Sequence, residues 1–334
     1  MKHEVWAPGR VNLIGEHIDY HGLPVLPMAL RQRIRVRFEK RPDRRIRAAS
    51  ASYGAREFDW SERLQPAAAG DWENYLRAAA QAVGGRWGTG RGVDAEIESD
   101  LPAAAGLSSS SALIVAFTLC LLQANGWRAG FAELMDVLPE GEQFVGTRGG
   151  GMDHAASLGS REGCASLVSF RPVGIRHIPV PPDWGFLVAH SLETAEKSGP
   201  ARDAYNAVRA AANTEHVTTE AARVLEAAEA MERGEAERFG KLLAASHASL
   251  RDRLHVSTPA LDRLVDAAME SGALGARLTG AGFGGCAVIF ALRSGLAAVR
   301  QGLRERFYAG RPDFRESTHL IDAEPGAGAL ASLR

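Results

Sequence analysis

Residues 93–125 form the stretch that most constrains the fold of this chain. Apolar and acidic residues alternate at its start, which predicts a half-buried β-strand. After Pro102 a loop of small residues leads to four consecutive serines, residues 108–111, and then to an apolar run that ends at Asn125. Pro102 stops the strand, and the Gly126 that follows the apolar run is typical of a helix end. The stretch therefore predicts a strand, a loop and a helix in that order.

The start of the predicted helix is a candidate phosphate-binding site. A helix start carries free N–H groups and about half a positive charge, and serine hydroxyls can donate to phosphate or ligate a metal. The loop is not a Walker loop, because no Gly-Lys-Ser/Thr follows Gly106. Serines ahead of an apolar helix are more often simple N-caps, so this stretch alone leaves phosphate binding open.

Composition excludes several classes of partner and of location. The 334 residues, 46% of them hydrophobic, suffice for one large or two ordinary domains. The 39 basic and 40 acidic residues nearly cancel, so we expect neither nucleic acid nor a membrane surface as a partner. The longest mainly apolar run, residues 112–122, is too short to span a bilayer. Three isolated cysteines without metal-ligand spacing and the lack of an apolar signal core predict a reduced, cytoplasmic protein.

A second segment, residues 9–22, packs charged residues between glycines at unusual density. Arg10, Glu16, His17 and Asp19 lie close together there. Two carboxylates and an imidazole can donate and accept hydrogen bonds around a polyhydroxylated ligand, and an arginine can stabilise an anion. A polar turn with an ion pair would have the same composition, so the residues alone leave both interpretations open.

Three segments together resemble the motifs of the galactokinase family of the GHMP kinase superfamily. Residues 9–20 resemble its N-terminal signature, residues 102–111 its phosphate-binding loop, and residues 278–286, Leu-Thr-Gly-Ala-Gly-Phe-Gly-Gly-Cys, its third motif. The resemblance implies an α+β, two-domain GHMP kinase fold with the active site between the domains. Residues 1–180 would form an N-terminal domain like domain 2 of ribosomal protein S5, and residues 181–334 a ferredoxin-like C-terminal domain.

The resemblance also implies an activity, ATP-dependent phosphorylation of the C1 hydroxyl of galactose to galactose 1-phosphate, with Mg²⁺ as the metal. The matching residues carry over as follows: Arg10 and Asp153 are catalytic; Glu16, His17, Asp19, Gly150 and Tyr205 bind the sugar; Gly106, Leu107, Ser108, Ser109 and Ser110 bind ATP; Ser109 and Glu142 bind the metal. We expect Arg10 to pair with Asp153 and orient it. Whether Asp153 is a true base or an electrostatic anchor stays open.

The chain departs from the family pattern at several positions. Ala104 and Ala105 stand where many relatives have glycine, His154 replaces the usual glutamine, and Val208 replaces the first of two arginines after Tyr205. Two alternatives to a galactokinase stay open: an N-acetylgalactosamine 1-kinase or another monosaccharide 1-kinase, and a non-catalytic sensor of sugar and ATP. We expect small-molecule substrates and a monomer.

Overall fold

The computed structural model describes residues 3–102, 106–144, 150–194, 207–208 and 214–333, and it contains two main β-sheets. The first has five strands: β1 (His3–Ile14), β2 (Leu26–Lys40), β3 (Arg45–Ser50), β4 (Gly54–Asp59) and β5 (Val93–Ser99). Their order is β1-β2-β5-β3-β4, and all neighbours are antiparallel except β3 and β5. The alternating stretch at residue 93 is therefore a central strand.

One face of this sheet is apolar and the other is charged. Val36 on β2 lies opposite Val5 on β1 and Ile97 on β5, and all three side chains are buried. On the opposite face Arg37 forms ion pairs with Glu4 and Glu98. The alternation of apolar and charged residues along the strands produces this division, because successive side chains point to opposite faces of a sheet.

Four helices belong to this half of the chain: α1 (Glu73–Trp87), α2 (Ser109–Asn125), α3 (Phe131–Phe144) and α4 (Met152–Gly159). Helix α2 is the apolar helix predicted from sequence, and every side chain from Ser111 to Leu122 is buried. A helix that is apolar all round belongs in the middle of a core. Its first residue is Ser109, so the serine run lies at the helix start as predicted.

The rest of the chain contains a hairpin, a second sheet and five more helices among the described residues. Strands β6 (Cys164–Phe170) and β7 (Val173–Pro179) form the hairpin, and β8 (Trp184–His190), β9 (Gly275–Thr279), β10 (Cys286–Leu292) and β11 (Leu320–Asp322) form an antiparallel sheet in the order β11-β8-β10-β9. The helices are α5 (Thr214–Arg233), α6 (Ala236–Asp252), α7 (Pro259–Glu270), α8 (Arg293–Leu303) and α9 (Glu316–His319).

These elements confirm the α+β class. The strands up to Pro179 form the five-stranded sheet and the hairpin, and the strands from Trp184 onward form the second sheet. A domain boundary between residues 180 and 181 stays a prediction. The three cysteines are buried, and none of them forms a disulfide bond. Within the described ranges, no helix is long and apolar enough to cross a membrane.

Candidate active site

The centre of the candidate site is an ion pair between Arg10 on β1 and Asp153 in the first turn of α4. Arg10 Nε donates to Asp153 Oδ1 at 2.7 Å, and the two side chains are only 5% and 20% exposed. Arg10 Nη1 also donates to the main-chain oxygen of Gly106 at 2.9 Å, in the loop before α2. The pairing expected from sequence is present, and it links three segments that are far apart in the chain.

Two helix starts converge on the Asp153 carboxylate. Ser108, the residue before α2, donates from its hydroxyl to Asp153 Oδ2, and Ser111 Oγ lies 3.5 Å from the same oxygen. Asp153 itself lies in the first turn of α4. Helix starts carry partial positive charge, and Arg10 adds a full one, so the site favours an anionic ligand such as a phosphate group. Ser109 is exposed and Ser110 half-buried at the rim of this site.

Backbone strain is concentrated in the three motifs identified from sequence. Five non-glycine residues among those described have φ in the left-handed region, and three of them are His17 (62°), Ser108 (58°) and Phe283 (58°). Each of the three lies in a different motif. Such conformations cost free energy and cluster at functional sites.

The glycines before Asp153 allow a close contact between main chains. Gly150 N donates to Asp19 Oδ2 at 3.1 Å. A Cβ atom at Gly150 would lie 2.3 Å from Tyr20 N and 2.4 Å from the carbonyl carbon of Asp19, so only glycine fits there. This contact places the Asp19 carboxylate beside the segment that carries Asp153.

The two titratable groups next to this contact have shifted pKa values. Burial lowers the pKa of His17 to about 4, so the imidazole is neutral at pH 7. Its Nδ1 is 3.1 Å from the Tyr20 hydroxyl and its Nε2 is 3.1 Å from the Ala281 main-chain oxygen. Burial, together with the negative charge of Asp153, raises the pKa of Asp19 to about 6. Asp19 is therefore mostly ionised at neutral pH and protonated in mild acid.

Glu16 is buried, and protein groups contact both of its carboxylate oxygens. Oε1 accepts from Gly280 N at 2.8 Å, and Oε2 accepts from Asn12 Nδ2 at 2.6 Å. Arg277 Nη2 lies 2.5 Å from Oε2. Burial raises the pKa of Glu16, and the charge of Arg277 opposes this rise. Sugar binding by Glu16 stays a prediction. Arg277 and Asn12 were not among the predicted site residues, and the one signal for Arg277 was its position as an arginine in an apolar strand next to the third motif.

The glycine loop, residues 280–285, connects β9 with β10 and lies against the serine loop. A Cβ atom at Gly280 would be 3.7 Å from the Gly106 main-chain oxygen, so the two loops are neighbours. Gly280 also has a φ of 90°, which favours glycine. The third motif therefore meets the first two at one place.

Two residues of the predicted site are not part of this geometry. Tyr205 and the side chain of Glu142 lie outside the described residues, so their roles stay predictions. Among the residues that the structure describes, no group of three or more His, Cys, Asp or Glu side chains could hold a metal ion. The hydroxyl of Ser109, at the first residue of α2, is nevertheless compatible with Mg²⁺, because this ion is often bound by one or two protein oxygens together with substrate phosphates.

Three family models match the chain. The galactokinase galactose-binding signature matches residues 3–40, the GHMP kinase N-terminal domain matches residues 74–161, and the GHMP kinase C-terminal domain matches residues 227–309. The first contains Arg10, Glu16, His17 and Asp19, and the second contains the serine loop and Asp153. The matches occur in the order predicted from sequence.

Solved structures of other proteins have the same fold as this chain. The galactokinase of Lactococcus lactis, solved with galactose, is 26% identical over 98% of this chain and 94% of its own, with a TM-score of 0.88. Mevalonate kinase of Methanococcus jannaschii is 21% identical over 98% of each chain, with a TM-score of 0.73. Homoserine kinase of Cytophaga hutchinsonii is 16% identical over 98% of this chain and 96% of its own, with a TM-score of 0.69. At these identities, the mevalonate kinase and the homoserine kinase support the fold alone. The chain therefore has the two-domain GHMP kinase fold and belongs to the GHMP kinases as a galactokinase-like sugar kinase.

Proposed function

We propose that the protein is a galactokinase, which transfers the γ-phosphoryl group of ATP to the C1 hydroxyl of galactose. The observation that carries this proposal is the pair of Arg10 and Asp153, held at 2.7 Å between two helix starts. Phosphoryl transfer needs a group that orients the attacking hydroxyl and positive charge that stabilises the transferred phosphoryl. The Asp153 carboxylate can orient the hydroxyl, and the Arg10 guanidinium supplies the positive charge.

In the proposed reaction the C1 hydroxyl oxygen attacks the γ-phosphorus, and the bond from that phosphorus to the β–γ bridging oxygen breaks. ADP leaves with the electron pair of that bond, and the hydroxyl proton passes to the Asp153 carboxylate. Arg10 holds Oδ1 of this carboxylate and Ser108 holds Oδ2, so its orientation is set before the substrate binds. Arg10 also stabilises the negative charge on the phosphoryl oxygens.

The serine loop is the proposed site for the ATP phosphates. The main-chain N–H groups at the start of α2 and the hydroxyls of Ser109 and Ser110 are the donors, together with the backbone of Gly106 and Leu107. Mg²⁺ bound by Ser109, by Glu142 and by the ATP phosphates would neutralise phosphate charge. Ser108 differs from its neighbours, because its hydroxyl contacts Asp153 and so joins the phosphate site to the catalytic carboxylate.

The sugar is proposed to lie between the segment of residues 16–19 and the loop before α4. Asp19 is mostly ionised at neutral pH and accepts hydrogen bonds from sugar hydroxyls. His17 is neutral, and since its Nε2 contacts the Ala281 oxygen, its Nδ1, which is 3.1 Å from the Tyr20 hydroxyl, is the nitrogen proposed to bind a sugar hydroxyl. Gly150 packs directly against Asp19 and donates to its Oδ2, so it orients this carboxylate. Glu16 and Tyr205 complete the proposed sugar site.

The proposal is tested by ATP consumption with galactose, N-acetylgalactosamine, glucose, arabinose and mevalonate as acceptors. We expect the highest kcat/KM with galactose. A preference for N-acetylgalactosamine would make the protein an N-acetylgalactosamine 1-kinase. Binding of ATP and galactose without turnover would make it a sensor, and no response to any sugar would contradict the sugar site.

A substitution at Asp153 tests the proposed mechanism separately. Asp153→Ala should abolish measurable turnover, because losing the proton acceptor lowers kcat by about 10²-fold to 10⁴-fold. ATP binding should stay largely intact. A matched control is Asp252→Ala, because Asp252 also accepts from an arginine Nε at 2.7 Å, that of Arg251, but on the exposed end of α6. The control should keep wild-type kcat. Unchanged turnover in Asp153→Ala would remove Asp153 from the mechanism.

A further inference from the structure

Arg277 on β9 is a charged side chain with no solvent exposure. Its Nε donates to Ser246 Oγ at 3.1 Å, and its Nη1 lies 3.3 Å and 3.1 Å from the main-chain oxygens of Asn12 and Leu13. Its Nη2 forms the ion pair with Glu16 at 2.5 Å. A buried charge is tolerated only when such partners surround it. The guanidinium thus binds the end of β1 to β9 and α6.

The partner of Arg277 connects it with the glycine loop. The Glu16 carboxylate that pairs with Arg277 also accepts from Gly280 N, the first N–H of the loop, at 2.8 Å. The next residue of the segment, His17, contacts the loop at the Ala281 oxygen. Two successive residues, 16 and 17, are therefore fixed to two successive residues of the loop, 280 and 281.

We infer that Arg277 is a positioning residue for phosphoryl transfer: through Glu16 it holds the glycine loop against the segment that carries His17 and Asp19. This inference rests on the proposed function, because it assigns Arg277 a role in that reaction. Arg277 acts through Glu16 and not on the reacting atoms. A geometric support of this kind matters for rate, since a misplacement of about 1 Å in an active site can cost about 10²-fold.

Arg277 also influences the pKa of its partner. Burial raises the pKa of Glu16, and Arg277 is the strongest influence that lowers it. A protonated Glu16 would accept the Gly280 N–H less well, because the hydrogen bond to a carboxylate is the stronger one. The other titratable groups around Glu16 are Arg10 on β1, Asp19 and His17 in the same segment, and His216 and Glu220 on α5. Of the two arginines that lower the pKa of Glu16, Arg277 has the larger effect.

The test compares kcat, both KM values and the pH profile of wild-type protein with those of Arg277→Met and Arg277→Lys, using galactose and ATP. We expect Arg277→Met to lower kcat about 10²-fold and to move the acid limb of the profile to higher pH, because the pKa of Glu16 rises without the guanidinium. Arg277→Lys should have a higher kcat than Arg277→Met, since lysine keeps the positive charge but lacks the several N–H donors of the planar guanidinium. Arg300→Met is the control, because Arg300, like Arg277, contacts both carboxylate and main-chain oxygens, in its case those of Glu316, Asp322 and Leu320, away from the site.

A double variant separates positioning from folding. Arg277→Met leaves Glu16 buried without its cation, so the single variant can be poorly folded. Glu16→Gln with Arg277→Met removes both charges, and we expect it to fold, to turn over slowly and to show no acid-limb shift. Wild-type kcat in any folded Arg277 variant, or a loss of equal size at every pH in Arg277→Met, would overturn the inference. Wild-type protein without turnover on any sugar would instead overturn the proposed function, and this inference with it.

Discussion

Gly150→Ala is the sharpest perturbation that the geometry of the site offers. The added methyl would lie 2.3 Å from Tyr20 N and 2.4 Å from the Asp19 carbonyl carbon, whereas ordinary contacts begin near 3.4 Å. Both neighbours are main-chain atoms, so no side chain can rotate away. The two segments must separate by about 1 Å, and the hydrogen bond from Gly150 N to Asp19 must lengthen.

The size of the effect follows from that displacement. A shift of about 1 Å between Asp19 and Asp153 predicts a loss of about 10²-fold in kcat/KM for galactose. Overpacking predicts a decrease of about 1–3 kcal/mol in the free energy of unfolding. The KM for ATP should change much less, because the serine loop is built on α2. Steady-state kinetics with each substrate varied, together with urea unfolding, measures all three quantities.

Gly85→Ala is the control for this experiment. Gly85 lies in α1, and a Cβ atom there meets nothing within 4 Å, so alanine should be neutral or slightly stabilising. A Gly150→Ala protein with wild-type kcat/KM for galactose would refute the reasoning, since the close contact would then have no part in placing the sugar site.

Three further predictions concern the same site. Arg10→Lys keeps the charge but loses the fork that contacts Asp153 and Gly106, so kcat should fall about 10²-fold in steady-state assays, and an unchanged kcat would contradict the proposed role. Ser108→Ala removes the hydroxyl donor to Asp153, so kcat should fall about tenfold with a smaller change in the KM for ATP; the reverse pattern would make Ser108 a phosphate ligand only. The pKa of Asp19 is about 6 in the folded protein and near 3.8 in the unfolded chain. Protonated Asp19 therefore favours the folded state at low pH, and this contribution to the free energy of unfolding is lost as the pH rises through 6. The Tm of Asp19→Asn relative to wild type should therefore increase from pH 4 to pH 8, and a difference that does not change with pH would show that Asp19 has an ordinary pKa.

Local pattern was enough to predict two central elements, and the resemblance to the galactokinase motifs predicted the central pair of the site. The alternation that starts at residue 93 predicted β5, and the apolar run after the serines predicted α2. Both predictions succeed because the spacing of apolar residues and the residues that end strands and helices act over a few neighbouring positions. Arg10 and Asp153 were predicted from motifs whose residues match position by position. The structure brings them to 2.7 Å although they lie on different elements.

Contacts between distant segments were not predictable in the same way. Arg277 stands in an apolar strand, and nothing local indicates that its partners are Glu16 and the end of β1. Ser108 was predicted to contact phosphate, but the contact of its hydroxyl with Asp153 depends on how α2 and α4 pack. Such pairings are set by the tertiary fold, which the motif spacing does not contain.

The most direct test of the central claim is the identity of the product. Wild-type protein incubated with ATP, Mg²⁺ and galactose should give one product, in which ³¹P and ¹³C NMR show the phosphate on the anomeric carbon, together with one ADP for each sugar consumed. Asp153→Ala should give none at the same protein concentration. Phosphate on any other carbon, or ATP consumption without a phosphorylated sugar, would contradict the assignment of this site to C1 phosphorylation of galactose.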